Sequence, residues 1–131
     1  MLKNIFILKI IFYISIIFLI VISLYPGSLI GYFLYGDVHR QPNLIKTSLG
    51  TSINHIIYYS YITMLGLFIY YNKTKFYLTL IAIIFLSFFL EIAQIYIPVR
   101  TFEIIDLICN FFGVLLGLFL IIIIKKWRIY E

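Results

Sequence analysis

Ile104-Ile-Asp-Leu-Ile-Cys-Asn-Phe-Phe-Gly-Val-Leu-Leu-Gly-Leu-Phe-Leu-Ile-Ile-Ile-Ile124 is followed at once by Lys125-Lys126-Trp127-Arg128. About 20 apolar residues at 1.5 Å each cross the hydrocarbon core of a bilayer, and a basic, aromatic flank is how such a helix ends at the membrane surface. Three similar runs precede it, at about Ile5–Tyr25, Ile53–Tyr71 and Phe76–Ile97, the first closed by Pro26-Gly27 and the third by Pro98. The pattern predicts an all-α, polytopic membrane helix bundle with about four transmembrane helices in one membrane domain over 1–131.

Composition agrees. Of 131 residues 64% are hydrophobic and 11% charged, and mean hydropathy is +1.12. A soluble domain carries about 25% charged residues to wet its surface. The 12 Tyr and 13 Phe, with long Ile runs, fit an AT-rich coding sequence. The net charge of +5 sits in the segments flanking the apolar runs, so it reads as a topology signal and no nucleic-acid partner is expected. Cys109 lies alone in an apolar segment and reads as a small buried hydrophobe.

The first run follows Lys3 but exceeds the usual 7–15 residue signal-peptide core, and Ser23-Leu24-Tyr25-Pro26 is a poor cleavage site, so a retained anchor is expected. With both termini inside, Lys3, Lys9, Lys73, Lys75, Lys125, Lys126 and Arg128 lie inside and Arg40, Lys46 and Arg100 outside, 7 against 3. The positive-inside rule favours this N-in, C-in arrangement, with Trp127 and Tyr130 as inner interfacial anchors. The 27–52 connection then lies outside, as an irregular lid or a short interfacial helix. The glycosylation-like triplet Asn72-Lys73-Thr74 falls inside and reads as chance.

Polar residues inside the apolar runs carry the chemistry. A carboxylate at mid-helix costs roughly 2.5–3.5 kcal/mol on insertion scales. Glu91 lies ~9 Å below Ile97 at helical rise and must face other helices or a wet pocket. Gln94, three residues on, shares its face. Asp106, Asn110, Gly113 and Gly117 recur at spacings of four, three and four, one face of a helix. Asp106 sits in a first turn, where the helix dipole favours an anion. Gly113 and Gly117 form a small-xxx-small pattern for helix packing. Arg100 overhangs the outer mouth of the last two helices, and His55 starts the second span at the same level.

Glu91 and Asp106 are therefore candidate catalytic acid–base groups, and His55, Gln94, Arg100 and Asn110 candidate binding residues. The alternatives are a buried Glu91–Arg100 ion pair locking the last two spans, and capping and interhelix hydrogen bonding by Asp106 and Asn110. Without a spaced His pair such as His-x-x-x-His, no metal site is read, and no cofactor is implied. His39-Arg40 could meet anionic headgroups.

Glu91-x-x-Gln94, Pro98-x-Arg100 and Asp106-x-x-x-Asn110-x-x-Gly113-x-x-x-Gly117 resemble the signature of the VanZ-like family, and His55 with Tyr59 resembles its His followed by an aromatic. The resemblance covers about 51–120. Many members carry Asp-Lys shortly before the His, where this chain has Thr51-Ser52; a charge role there is absent or falls to Asp37 or Lys46. The family is named for a protein linked to low-level teicoplanin resistance in bacteria. The resemblance implies a multi-pass protein of the bacterial cytoplasmic membrane, in contact with membrane lipids. Two functions stay open. One is an extracytoplasmic site for an envelope precursor or lipid headgroup, Arg100 holding an anionic group while Glu91 or Asp106 moves a proton. The other is a non-catalytic membrane protein that works through protein association, with a structural polar cluster. A transporter is weaker, since four spans without a repeat offer little for alternating access unless the chain oligomerises. Neither oligomeric state nor a reaction is read from the residues.

Overall fold

The computed structural model describes residues 2–42, 44–45 and 49–129. These form five α-helices: α1 (Leu2–Leu24), α2 (Leu29–Tyr35), α3 (Ile53–Ile69), α4 (Lys73–Ala93) and α5 (Ile104–Ile129), with 3-10 turns at Gly50–Ser52 and Gln94–Tyr96. Lys46 and Tyr130, and the side chains of Lys3, Lys73, Lys126, Trp127 and Arg128, lie outside the described residues.

Among the described residues three helical stretches are long and apolar enough to cross a membrane: Ile5–Leu24, Thr74–Tyr96 and Ile104–Lys125, with mean hydropathies of 3.0, 2.3 and 2.9. The expectation of four such spans is corrected at 53–71. There α3 has 17 residues, ~25 Å at helical rise, against a core of ~30 Å. It stops because Tyr70 takes φ −97°, ψ 61°, outside helical space. The chain turns directly into α4, whose first turn is capped by Asn72 accepting the Thr74 N–H at 3.2 Å. The glycosylation-like triplet is thus a helix cap.

Although short, α3 traverses the bundle. Tyr59, Ser60, Ile62, Thr63, Gly66 and Leu67 are buried along it. Its closest partner is α5, which runs parallel to it, and a Cβ built on Gly113 would stand 2.7 Å from the Ile56 carbonyl oxygen. One on Gly117 would stand 2.6 Å from that of Ser60, so the two backbones touch. The helix α1 runs antiparallel to α3, with the Tyr58 hydroxyl donating to the Ser15 carbonyl and Tyr13 bonding Tyr70 through their hydroxyls at 2.6 Å. Phe12, Leu19, Tyr59, Ile62, Ile83, Leu90 and Val114 form the core, while Phe85, Phe89, Ile81 and Leu78 on α4 stay exposed, as a lipid-facing surface does.

Of the two forms expected for 27–52, the structure contains a short helix. Ser28 caps α2 by accepting the Gly31 N–H at 2.9 Å, and Gly36 ends it in the left-handed region at φ 69°, where a side chain is strained. A Cβ on Gly31 would collide with the Arg40 carbonyl oxygen, so the chain folds tightly back over α2. Arg40 lies 4.0 Å from the Tyr35 ring centre, and Asp37 accepts the His39 N–H at 2.8 Å. Asn54 then ties Pro42 and Leu44 to α3, accepting from the Leu44 N–H at 3.0 Å and donating to the Pro42 carbonyl at 2.8 Å.

Candidate functional site

The turn between α4 and α5 places the polar residues. Ile97 is extended at φ −101°, ψ 126°, as a residue before proline prefers, and Val99 takes φ 68°. The Arg100 N–H closes the turn on the Ile97 carbonyl at 3.2 Å. Glu103 then heads α5, its carbonyl accepting the Leu107 N–H.

Glu91 is 1% exposed. Its Oε1 accepts the Glu103 N–H and its Oε2 accepts Asn110 Nδ2, both long at 3.4 Å. The carboxyl thus lies at the N-terminus of α5, where unpaired amides favour an anion. Asn110, also 1% exposed, turns its Oδ1 to His55 Nδ1 at 2.8 Å. The other ring nitrogen, Nε2, lies 3.4 Å from Asp106 Oδ2. Among the described residues, Asp106 Oδ1 is buried without a hydrogen-bond partner. Glu91, Asn110, His55 and Asp106 therefore form one chain of contacts across α4, α5 and α3.

Arg100 is placed elsewhere. It makes no ion pair with Glu91, so the alternative of a Glu91–Arg100 lock between the last two spans is not formed. Its Nη2 donates to the Ile22 carbonyl at 2.7 Å and its Nε to the Tyr25 carbonyl at 3.2 Å. It therefore clamps the turn to the C-terminus of α1, whose last carbonyls lack helical partners. Burial pushes the Arg100 guanidinium below its ordinary pKa, while the charges of Glu91 and Asp106 pull it up.

Beside this network is a cavity of about 190 Å³ between α1, α2 and the start of α3. Phe18, Leu19, Ile22, Leu29, Ile30 and Leu34 make much of its apolar wall, and His55, Gln94, Arg100 and Asn54 its polar part. Gln94, 6% exposed, reaches it from the 3-10 turn. Glu91, Asp106 and Asn110 do not line it; His55 connects them to it. Thr51 lines it and Ser52 is buried. Asn54, Tyr58 and Ser28 also reach the cavity without motif support. The only hint is Ser28 before an apolar run, a helix-start signature. A wider groove of about 540 Å³ lies at the opposite end, where Lys125 sits 4.2 and 4.0 Å from the ring centres of Tyr71 and Phe76. It holds none of the network.

Fold and site define a helical membrane protein with a buried acid–amide–imidazole network behind an apolar cavity. The family model described as VanZ/LLP1 matches residues 5–125. The chain belongs to this family, and the match takes in α1 and the 27–52 connection as well as the motif-bearing region. No curated protein and no solved structure gave a significant match.

Proposed function

We propose that the chain binds an anionic cell-envelope amphiphile, an envelope precursor or a lipid headgroup, in the cavity between α1, α2 and α3. The observation that carries this reading is the cavity's two-sided lining, apolar walls from α1 and α2 meeting His55, Gln94 and Arg100. At about 190 Å³ it is too small for a whole lipid, against 300–1,000 Å³ for drug-sized ligand sites. It suits a headgroup and the first carbons, the tail continuing along the exposed apolar helices. Arg100 uses two of its N–H donors on α1 and has five, so donors remain for an anionic group. His55, with Asp106 and Glu91 behind it, supplies a proton acceptor or donor at the same place, so acid–base chemistry on the bound headgroup is part of the reading.

The arrangement of the ends supports an N-in, C-in orientation in the bacterial cytoplasmic membrane. The start of α1, the start of α4 and the end of α5, with most of the basic positions, share one end of the bundle. Arg40 and Arg100 belong to the other. The site then faces outward, where a role in teicoplanin resistance would be exercised.

One observation favours the non-catalytic reading: both Glu91 oxygens and two Arg100 donors already have internal partners. Native mass spectrometry of the purified protein with phosphatidylglycerol or an isoprenyl phosphate separates the two. Losing a hydrogen bond to a charged group costs about 1.5–3 kcal/mol, roughly 10- to 100-fold in affinity. His55→Ala and Arg100→Gln weaken binding by that much, and Lys125→Gln, at the other end, does not. If His55→Ala and Arg100→Gln lower the melting temperature and leave binding unchanged, the cluster is structural and the proposal fails.

A further inference from the structure

We propose that Glu91 is a positioning residue. Acting through the Asn110 amide, it holds His55 as a donor at Nδ1, so that Nε2 is the ring atom that exchanges a proton with Asp106 beside the cavity. The inference deepens the proposed function, because a histidine fixed in one tautomer is what acid–base work on a bound headgroup needs.

The argument is one of donors and acceptors. In the contact between Asn110 and Glu91 the carboxyl oxygen accepts. Asn110 Nδ2 therefore points at Glu91 Oε2, 3.4 Å away, and Oδ1 is left facing His55. That oxygen carries no hydrogen, and at 2.8 Å from Nδ1 it requires the proton to be on the nitrogen. The neutral ring then has its lone pair on Nε2, 3.4 Å from Asp106 Oδ2. A proton shared between these two atoms has two positions. On oxygen it leaves a neutral ring and a carboxylic acid; on nitrogen it makes imidazolium and carboxylate. Passing between them breaks the O–H bond and forms an N–H bond, with no other reactant. Among the described residues Asp106 Oδ1 is buried and unpartnered, so the carboxyl meets the ring through Oδ2 alone. Glu91 itself lines no part of the cavity, so its effect on a ligand passes through Asn110 and His55.

Replacing Glu91 by Gln reverses the pattern. The introduced amide keeps an oxygen for the Glu103 N–H and turns its nitrogen to Asn110. Asn110 flips to present Oδ1, and its Nδ2 then faces His55. Nδ1 must now accept, and the ring proton moves to Nε2.

The chain has two histidines, and His39 lies in the exposed turn with a backbone contact that a substitution keeps. In a His39→Gln background, long-range nitrogen–proton NMR of histidine-labelled protein in detergent at neutral pH reads His55 alone. With Glu91 intact, Nδ1 is protonated; with Glu91→Gln, it is not. An unprotonated Nδ1 with Glu91 intact overturns the proposal, and so does an unchanged spectrum in Glu91→Gln. If that variant does not fold, Asn110→Ala serves instead: Nδ1 loses its proton preference and the two tautomers mix, and a preference retained overturns the proposal. The spectra are taken without added amphiphile, so positioning and ligand binding fail or stand separately.

Discussion

Val99 and Arg100 form a working pair. Val99 sits at φ 68°, where an L-residue is strained by about 1–2 kcal/mol and a β-branched one is an outlier. Its side chain is 63% exposed, so little burial compensates. What the turn achieves is the reach of Arg100 to the carbonyls of Ile22 and Tyr25, a cation at the negative end of α1. Val99→Gly removes the strain and adds unfolded-state freedom of roughly 0.5–1 kcal/mol. The variant is therefore expected to be as stable as the parent or up to about 1 kcal/mol more so, by thermal denaturation in one detergent. A loss above about 1 kcal/mol contradicts the account. At this scale the sequence was legible where helical spacing governs. Asp106 and Asn110 sit four apart, and both meet His55. It was not legible where a partner is backbone: nothing in Pro98-Val99-Arg100 announces that the guanidinium bonds carbonyls 75 and 78 residues earlier.

The closest contact between elements is that of α3 with α5. A Cβ on Gly117 would meet the Ser60 carbonyl oxygen at 2.6 Å and Thr63 Cβ at 2.8 Å, and these cannot retreat without moving a helix. On Gly66 the nearest atom, at 2.7 Å, is the edge of the Phe12 ring, which can turn. Overpacking typically costs about 1–3 kcal/mol, while Ala gains about 0.8–1 kcal/mol in helix propensity over Gly. Gly117→Ala and Gly113→Ala should therefore lower stability clearly and Gly66→Ala much less. Equal effects in thermal denaturation would contradict a backbone contact between α3 and α5. The small-xxx-small pattern was readable, but the length of α3 was not. The apolar run continues through Ile69, Tyr70 and Tyr71, and only the dihedral angles of Tyr70 end the helix. Asn72, a good N-cap before Lys73, was the available sign that a new helix starts there.

At the scale of the molecule, the bundle has two unlike ends. One gathers the polar network, the cavity, α2 and the exposed turn at Thr101; the other gathers the basic ends of α1, α4 and α5. A cysteine placed at Thr101 is predicted to react with an impermeant thiol reagent added outside intact cells, and one at Thr74 is not. The reverse pattern would turn the cavity to the cytoplasm and exclude an extracytoplasmic ligand. The cavity was the part of the whole least legible in the sequence. It depends on Ser28, Asn54 and the fold-back of 37–40 over α2, contacts that carry no periodicity. The most direct test of the account is to ask what occupies that cavity in the membrane. A photoreactive side chain at Ser23, in the cavity wall, and another at Phe85, on the exposed face of α4, are crosslinked in native membranes and the attached lipids identified. The account predicts that Ser23 captures one anionic amphiphile far above its share of the bilayer, lost with Arg100→Gln, while Phe85 captures lipids in bulk proportion. The same bulk mixture at both positions would contradict it.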